Sequence, residues 1–306
     1  MADEHSSGLP DPSTAETVRI TTTELPAMPP TVLTFGAKTH QGLIRENNED
    51  QYLVVRLRKS LDLLDTSLGD DDRPRLADQE GFVLLVADGI GGRAGGERAS
   101  AMVVKETTRY LLGAAKWFFR LDDPDEHVRL RMLQEALDRI DRQIIEEGQE
   151  NPALAGMGTT LTGASIVGTD LFVVHVGDSR AYLYRDEKLE QLTTDHTIVQ
   201  ELVDQGVISP EAARSHRLPG VLTKALGGKP GVEAEFVKLR LLPGDRLLLC
   251  TDGLSELVHD DQIAEILKLH SDPIDACDTL VGAALDTGGR DNVTVIVAAI
   301  GSVETG

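Results

Sequence analysis

Short, almost uninterrupted apolar runs recur along this chain, and several of them end on an aspartate beside a glycine. Run 82–87 (FVLLVA) stops at Asp88-Gly89, run 246–251 (RLLLCT) at Asp252-Gly253, and run 171–176 (LFVVHV) at Gly177-Asp178. A strand with one wet face alternates apolar and polar residues, whereas a strand covered on both faces is apolar throughout. These runs are too short for helices and rich in Val and Leu. They therefore predict strands with cover on both sides. Read in this way, strands fall at 31–35, 51–57, 82–87, 159–167, 171–176, 181–185, 233–240, 246–251 and 293–300.

Helical patterns lie between them. Asp123-Pro124-Asp125-Glu126 supplies an N-cap, a first-turn proline and a glutamate at the third position. Leu133, Leu137, Ile140 and Ile144 then recur at helical spacing until Gly148. An earlier helix over about 96–112 puts Ala99, Val103 and Tyr110 on one stripe, and two more fit 260–269 and 273–286. Strict alternation of strand and helix is absent. That disfavours a doubly wound sheet and favours an α+β layered sandwich. No linker divides 31–301, which reads as one domain. Residues 1–30, rich in Pro, Ser, Thr and acids, read as a disordered arm, 302–306 as a short tail, and 58–80 as a charged surface loop.

The charge balance narrows the function. Thirty Lys and Arg stand against 51 Asp and Glu, a formal charge of −21. Such a field repels phosphate backbones and anionic lipid, so nucleic-acid and membrane partners are not expected. It leaves two readings of the acids: solubility, or the holding of cations. Two cysteines, Cys250 and Cys277, make neither a disulfide framework nor a zinc quartet, and Cys250 reads as a buried structural thiol. No apolar stretch has the length of a membrane span and no secretory signal opens the sequence, so a cytoplasmic location is expected.

The acids that carry information sit at strand ends. Asp88, Asp178, Asp252 and Asp291 each follow or precede a strand beside glycines, and a glycine carbonyl there can act as another oxygen ligand. A single Asp-Gly is chiefly a turn signal. Four converging carboxylates would repel one another without a cation, and an all-oxygen set suits Mg²⁺ or Mn²⁺. The glycines at 89–96 lack the Gly-Lys-Ser/Thr ending of a phosphate-binding loop. Upstream, Arg45 stands close to Glu49 and Asp50. This is either a surface ion pair or a guanidinium that forks onto phosphate oxygens beside acids that orient water.

Eight stretches in order, RENNED (45–50), VADGIGGRAGGERAS (86–100), GMGTTLTGASI (156–166), VGDSRAYLYR (176–185), LTTDH (192–196), LTKALG (222–227), LLLCTDGL (247–254) and RDNVTVIV (290–297), resemble a metal-dependent protein serine/threonine phosphatase of the type 2C class, in its bacterial form. The resemblance implies a central antiparallel β-sandwich flanked by helices on both sides, a four-layer α-β-β-α arrangement. It also implies two core ions, Mn²⁺ or Mg²⁺, with Asp88 bridging them and the Gly89 carbonyl completing the first. Asp252 and Asp291 resemble the ligands of the second ion, and Asp178 with Asp252 a third, weaker site. Glu49 would hold water of the first ion, Asp50 would support that shell, and Arg45 resembles the phosphate-binding arginine. The reaction implied is hydrolysis of phosphoserine and phosphothreonine in proteins by a hydroxide bridging the ions, without a phosphoenzyme. Arg45, Asp88 and Asp252 carry it, and the protein would act as a monomer opposite a serine/threonine kinase and its substrates.

Two positions depart from the family pattern. Ile90 stands where many relatives carry Met or His, and an isoleucine donates no proton. Lys224 replaces the more frequent arginine, keeping the charge without a bidentate contact. Segment 197–221 is expected as a flap beside the site, although a packed helix pair fits its pattern equally. His175 reads as a satisfied core histidine, His196 as a hydrogen-bonding residue and Trp117 as packing. Two other readings remain: a catalytically silent phosphoprotein-binding regulator on the same fold, which intact acids oppose, and a two-metal nuclease, which the charge opposes.

Overall fold

Leu247 and Leu249 face one way from their strand and Leu248 and Cys250 the other, and all four are fully buried. The same division holds for Leu84 and Val86 against Leu85 and Ala87, and for Ile296 and Ala298 against Val295 and Val297. One set of each fills the space between two sheets, and the other set meets helices. That double cover is the reason these strands carry no polar alternation.

The structure, a computed structural model, describes residues 18–20, 31–59, 79–91, 94–118, 126–213 and 220–302. One sheet contains β1 (Val18–Ile20), β3 (Gln51–Lys59), β4 (Gln79–Ala87), β7 (Leu161–Val167), β8 (Asp170–Val176) and β11 (Glu235–Arg240), in the order β1-β11-β8-β7-β4-β3. The other contains β2 (Thr31–His40), β9 (Arg180–Arg185), β10 (Lys188–Gln191), β12 (Arg246–Cys250) and β13 (Val293–Ser302), in the order β10-β9-β12-β13-β2. A small ribbon pairs β5 (Gly89–Ile90) with β6 (Gly158–Thr159). Helices α1 (Gly95–Phe118) and α2 (Glu126–Glu150) cover the first sheet through Val103, Leu137 and Ile144. Helices α6 (Asp260–Leu269) and α7 (Pro273–Asp286) cover the second through Ile263, Leu280 and Val281. The expected α-β-β-α layers are therefore present, and every pairing in the two large sheets is antiparallel except β1 with β11.

That exception corrects one expectation. Within the stretch read as a disordered arm, β1 pairs in parallel with 236–238 of β11. Val18 and Ile20 are β-branched and alternate with Arg19, a pattern an open sheet edge can recruit even inside a polar segment. The rest of 1–30 lies outside the described residues, as do 60–78 of the expected surface loop, the cap at 123–125 and the Trp117 side chain. The loop is also shorter than expected, because β3 and β4 stay paired out to Lys59 and Gln79, with Arg58 Nε 2.9 Å from Glu80. β10 escaped the sequence reading because it is charged and largely exposed. Its hairpin turns through Asp186 and Glu187, both at positive φ, where Asn-Gly would have been the readable signal.

Candidate metal centre

Asp88 leaves the end of β4 with its backbone clamped from both sides. Its N–H donates to Thr160 Oγ1 at 2.9 Å, and its carbonyl accepts from the Thr160 N–H at 2.9 Å and the Thr159 hydroxyl at 2.8 Å. Only the carboxylate remains free, and it opens into a cleft. Gly89 follows where no other residue fits, since a Cβ there would collide with the carbonyl of Gly96 and lie 2.7 Å from that of Glu49. Asp252 opens the short helix α5 (Asp252–Ser255) directly after β12. Asp178 emerges after Gly177, at φ 111°, and is almost fully buried. Asp291 precedes β13 and accepts the Asn292 N–H on Oδ1 at 2.8 Å.

Arg45, Glu49, Asp88, Gly89, Asp178, Asp252 and Asp291 all line this one cleft, with Ile44, Ile90, Thr160 and Leu222. Arg45 Nη2 lies 2.5 Å from Asp291 Oδ2, so the arginine and one of the expected ligands are a partly exposed ion pair across the cleft. Asp50 lies beneath the floor, 3% exposed, and its Oδ2 accepts from the hydroxyls of Thr251 at 2.8 Å and Thr294 at 2.7 Å.

Burial governs the electrostatics. It pushes Asp50 up to about 7, against the two threonine bonds, with Asp252 and Asp291 adding to the rise. It pushes Asp252 up to about 6 and holds Asp88 and Asp178 well above the ordinary carboxylate range, and each of these acids faces at least one other acid. Asp88 and Asp252 stand close enough that the ionisation of each disfavours that of the other. Two carboxylate oxygens, Asp50 Oδ1 and Asp252 Oδ1, are buried without a hydrogen-bond partner. Unpartnered buried oxygens beside mutually repelling acids, with no histidine or cysteine among the described residues of the cleft lining, form a donor set that fits hard divalent cations.

Sequence reasoning gave no role to Asn292, which stitches the cleft together. Its side-chain N–H groups donate to the carbonyls of Gln41 and Asn47 at 2.8 Å each, and its Oδ1 accepts the Glu49 N–H at 2.8 Å. The available signal was an amide directly after a candidate ligand and before a buried strand. Lys224 lies outside the cleft, with Nζ 3.4 Å from the Glu233 carbonyl. Segment 197–221 holds two short helices, α3 (Ile198–Asp204) and α4 (Pro210–Ala213), and Gly220 reaches the cleft; 214–219 lie outside the described residues.

His175 is fully buried, with Nε2 3.1 Å from the Thr194 carbonyl and Nδ1 2.9 Å from the Thr162 hydroxyl. His196 stacks on it at 4.8 Å and accepts the Gly177 N–H at 3.0 Å. With Glu235 they form a second cluster of potential ligands. Both nitrogens of His175 are already engaged and Glu235 accepts the Thr194 N–H at 2.9 Å, so these groups serve the fold. Cys250 and Cys277 are buried in the helix-side core and pushed up to about 12, which makes both poor nucleophiles.

Residues 65–285 match the family model described as protein phosphatase 2C. The chain belongs to the protein phosphatase 2C family. It is 38% identical over 268 residues to the serine/threonine protein phosphatase PstP of Mycobacterium tuberculosis, covering 87% of this chain and 45% of that protein. It is 33% identical over 267 residues to the serine/threonine phosphatase stp of Listeria monocytogenes, covering 85% of this chain and 93% of that one. The solved catalytic domain of PstP in complex with two manganese ions superposes with a TM-score of 0.68 at 35% identity, over 89% of this chain and all of that one. The chain thus spans less than half of PstP but nearly all of stp. The family match includes Asp88, Asp178 and Asp252; Arg45, Glu49, Asp50 and Asp291 fall outside it, and the fold brings them to the same cleft.

Proposed function

We propose that this cleft hydrolyses phosphoserine and phosphothreonine in proteins with the help of two divalent cations, Mn²⁺ or Mg²⁺. The observation that carries the reading is the convergence of Asp88, Asp178, Asp252 and Asp291 on one cleft, with two buried oxygens lacking partners and an arginine opposite. Asp88 and the Gly89 carbonyl would hold the first cation, and Asp88, Asp252 and Asp291 the second. Asp178 with Asp252 would form a third, weaker site, and Glu49 would hold water of the first ion. Bound there, the cations supply Lewis acidity and neutralise charge on a phosphoryl group under attack by water.

The chain's own residues do the rest. Thr159 and Thr160 fix the Asp88 backbone, so its carboxylate does not swing away. Thr251 and Thr294 hold Asp50 as a buried acceptor under the floor. Arg45 orients two phosphoryl oxygens through its planar fork, stabilising the equatorial charge of an in-line displacement. Neither thiol acts as a nucleophile, because both are sealed in the core. Ile90 lines the cleft without a proton to give, so the leaving seryl or threonyl oxygen takes its proton from solvent. The substrates are phosphoproteins of a serine/threonine kinase, met by a monomer in the cytoplasm. Among the described residues no helix is long and apolar enough to cross a membrane.

The test is phosphate release from a phosphothreonine peptide with Mn²⁺, with Mg²⁺, with chelator, and for Asp252→Asn, alongside calorimetric Mn²⁺ binding. Turnover that needs metal and is lost in the variant, together with weakened Mn²⁺ binding, supports the reading. A folded protein that binds Mn²⁺ and releases no phosphate refutes it.

A further inference from the structure

The mouth of the cleft is apolar and held rigidly, although its floor is acidic. Ile44 lines it and is 70% exposed, with Leu43 beside it at 61%. From the segment that also contributes Gly220, Leu222 lines it too and is half-buried. A large apolar side chain left in water on a mobile loop would be unremarkable, but these backbones are pinned. The Leu43 N–H donates to the Gly289 carbonyl at 2.7 Å, and the Gly42 N–H donates to His40 Nδ1 at 2.9 Å. Gly42 sits at φ 81°, where a Cβ would collide with the Asp291 carbonyl, so this turn is locked to the strand that carries a candidate ligand. On either side of Leu222, the Val221 carbonyl accepts the Ile198 N–H at 3.0 Å, and the Thr223 N–H donates to the His196 carbonyl at 2.8 Å.

Ile44 and Leu222 line the cleft with Arg45, the one cation among the described residues of the lining, and the acids Glu46 and Glu49 stand among them. A phosphoryl group over Arg45 puts its neighbours in the peptide against the apolar rim. A carboxylate on such a neighbour would meet Glu46 and Glu49 within a protein of net charge −21. We infer that the rim formed by Ile44 and Leu222 is a subsite for a large apolar side chain next to the phosphorylated residue, so that preferred substrates carry a leucine-like neighbour there and no acid. This rests on the phosphatase reading above and specifies its substrate class.

The experiment uses one phosphothreonine peptide with Leu, Ala or Glu flanking the phosphorylated residue on both sides, and Mn²⁺ present. We expect kcat/KM about tenfold higher for Leu than for Ala, the effect of burying roughly one such side chain, and lower for Glu than for Ala. In Ile44→Ser and in Leu222→Ser the Leu-to-Ala ratio should fall below about threefold. The ratio is the readout, so a general loss of activity does not imitate the result. A Leu peptide no better than the Ala peptide overturns the subsite, as does a preference that survives in both variants. Mn²⁺-dependent release from para-nitrophenyl phosphate is measured in parallel. Its absence refutes the phosphatase reading itself and the subsite with it, whereas its presence with indifferent peptides refutes the subsite alone.

Discussion

Acidification should destabilise this protein measurably through one side chain, His175. The imidazole is wholly inside, between the Thr162 hydroxyl and the Thr194 carbonyl, and burial lowers its pKa from 6.5 to about 4. An unfolded chain takes up a proton there near pH 6.5, and the folded chain refuses it until near pH 4. The contribution to stability is therefore complete above the unfolded pKa and is lost as the pH falls through that window. Between about pH 8 and pH 5 the loss from this group is about 2 kcal/mol, and it approaches about 3 kcal/mol toward pH 4. Urea unfolding of the unmodified protein and of His175→Gln at both pH values checks this. The variant should be less stable at each pH, through poorer bonds to Thr162 and Thr194, yet its own loss between them should be about 2 kcal/mol smaller. His196 is depressed to about 3 chiefly by burial and in part by His175, so the variant also relieves some of the depression of His196. Equal losses with and without the histidine would refute the reasoning, since they would mean that folding does not change the affinity of this imidazole for its proton.

Asp50 behaves in the opposite sense. Its folded pKa is raised to about 7, so in metal-free protein stability present at low pH is lost as the pH rises through 7. Asp50→Asn should then stabilise the metal-free form at pH 8 by up to about 4 kcal/mol and diminish the stabilisation conferred by Mn²⁺, as thermal melts with and without the ion would show. Arg45→Ala should lower kcat/KM toward phosphopeptides by about 100-fold, with Arg45→Lys recovering part of the loss, measured as phosphate release. Asp141, fully buried on α2, accepts the Gly227 N–H at 2.7 Å and the Gly231 N–H at 3.3 Å. Asp141→Ala should cost about 2–3 kcal/mol in urea unfolding, because two backbone donors lose their acceptor.

Much of the architecture was legible because double burial leaves a plain trace. In β12 and β13 both faces are apolar, and the following or preceding aspartate marks where the strand meets the cleft. The helices at 260–269 and 273–286 were readable to the residue. What stayed hidden was what depends on partners far away. Nothing local to Asn292 says that it will hold the Glu49 backbone 243 residues earlier. Nothing near Arg45 says that its nearest carboxylate will be Asp291. β1 and β10 were missed for a related reason: a short edge strand takes its structure from the neighbour it joins rather than from its own composition.

The pairing of β2 with β13, and the ties from Arg45 and Glu49 to Asp291 and Asn292, have a consequence for biosynthesis. A ribosome delivers the arginine and the first acids early, and the aspartate and asparagine that complete their surroundings only when β13 is about to be made. Until then β2 has no partner in its sheet, and the loop that carries Arg45 lacks its ties to Asp291 and Asn292. The centre is thus among the last features of the domain to exist, by the order of synthesis as well as by the slowness of long-range strand pairing. A chain arrested before residue 291 would carry Asp88, Asp178 and Asp252 and still have no finished site.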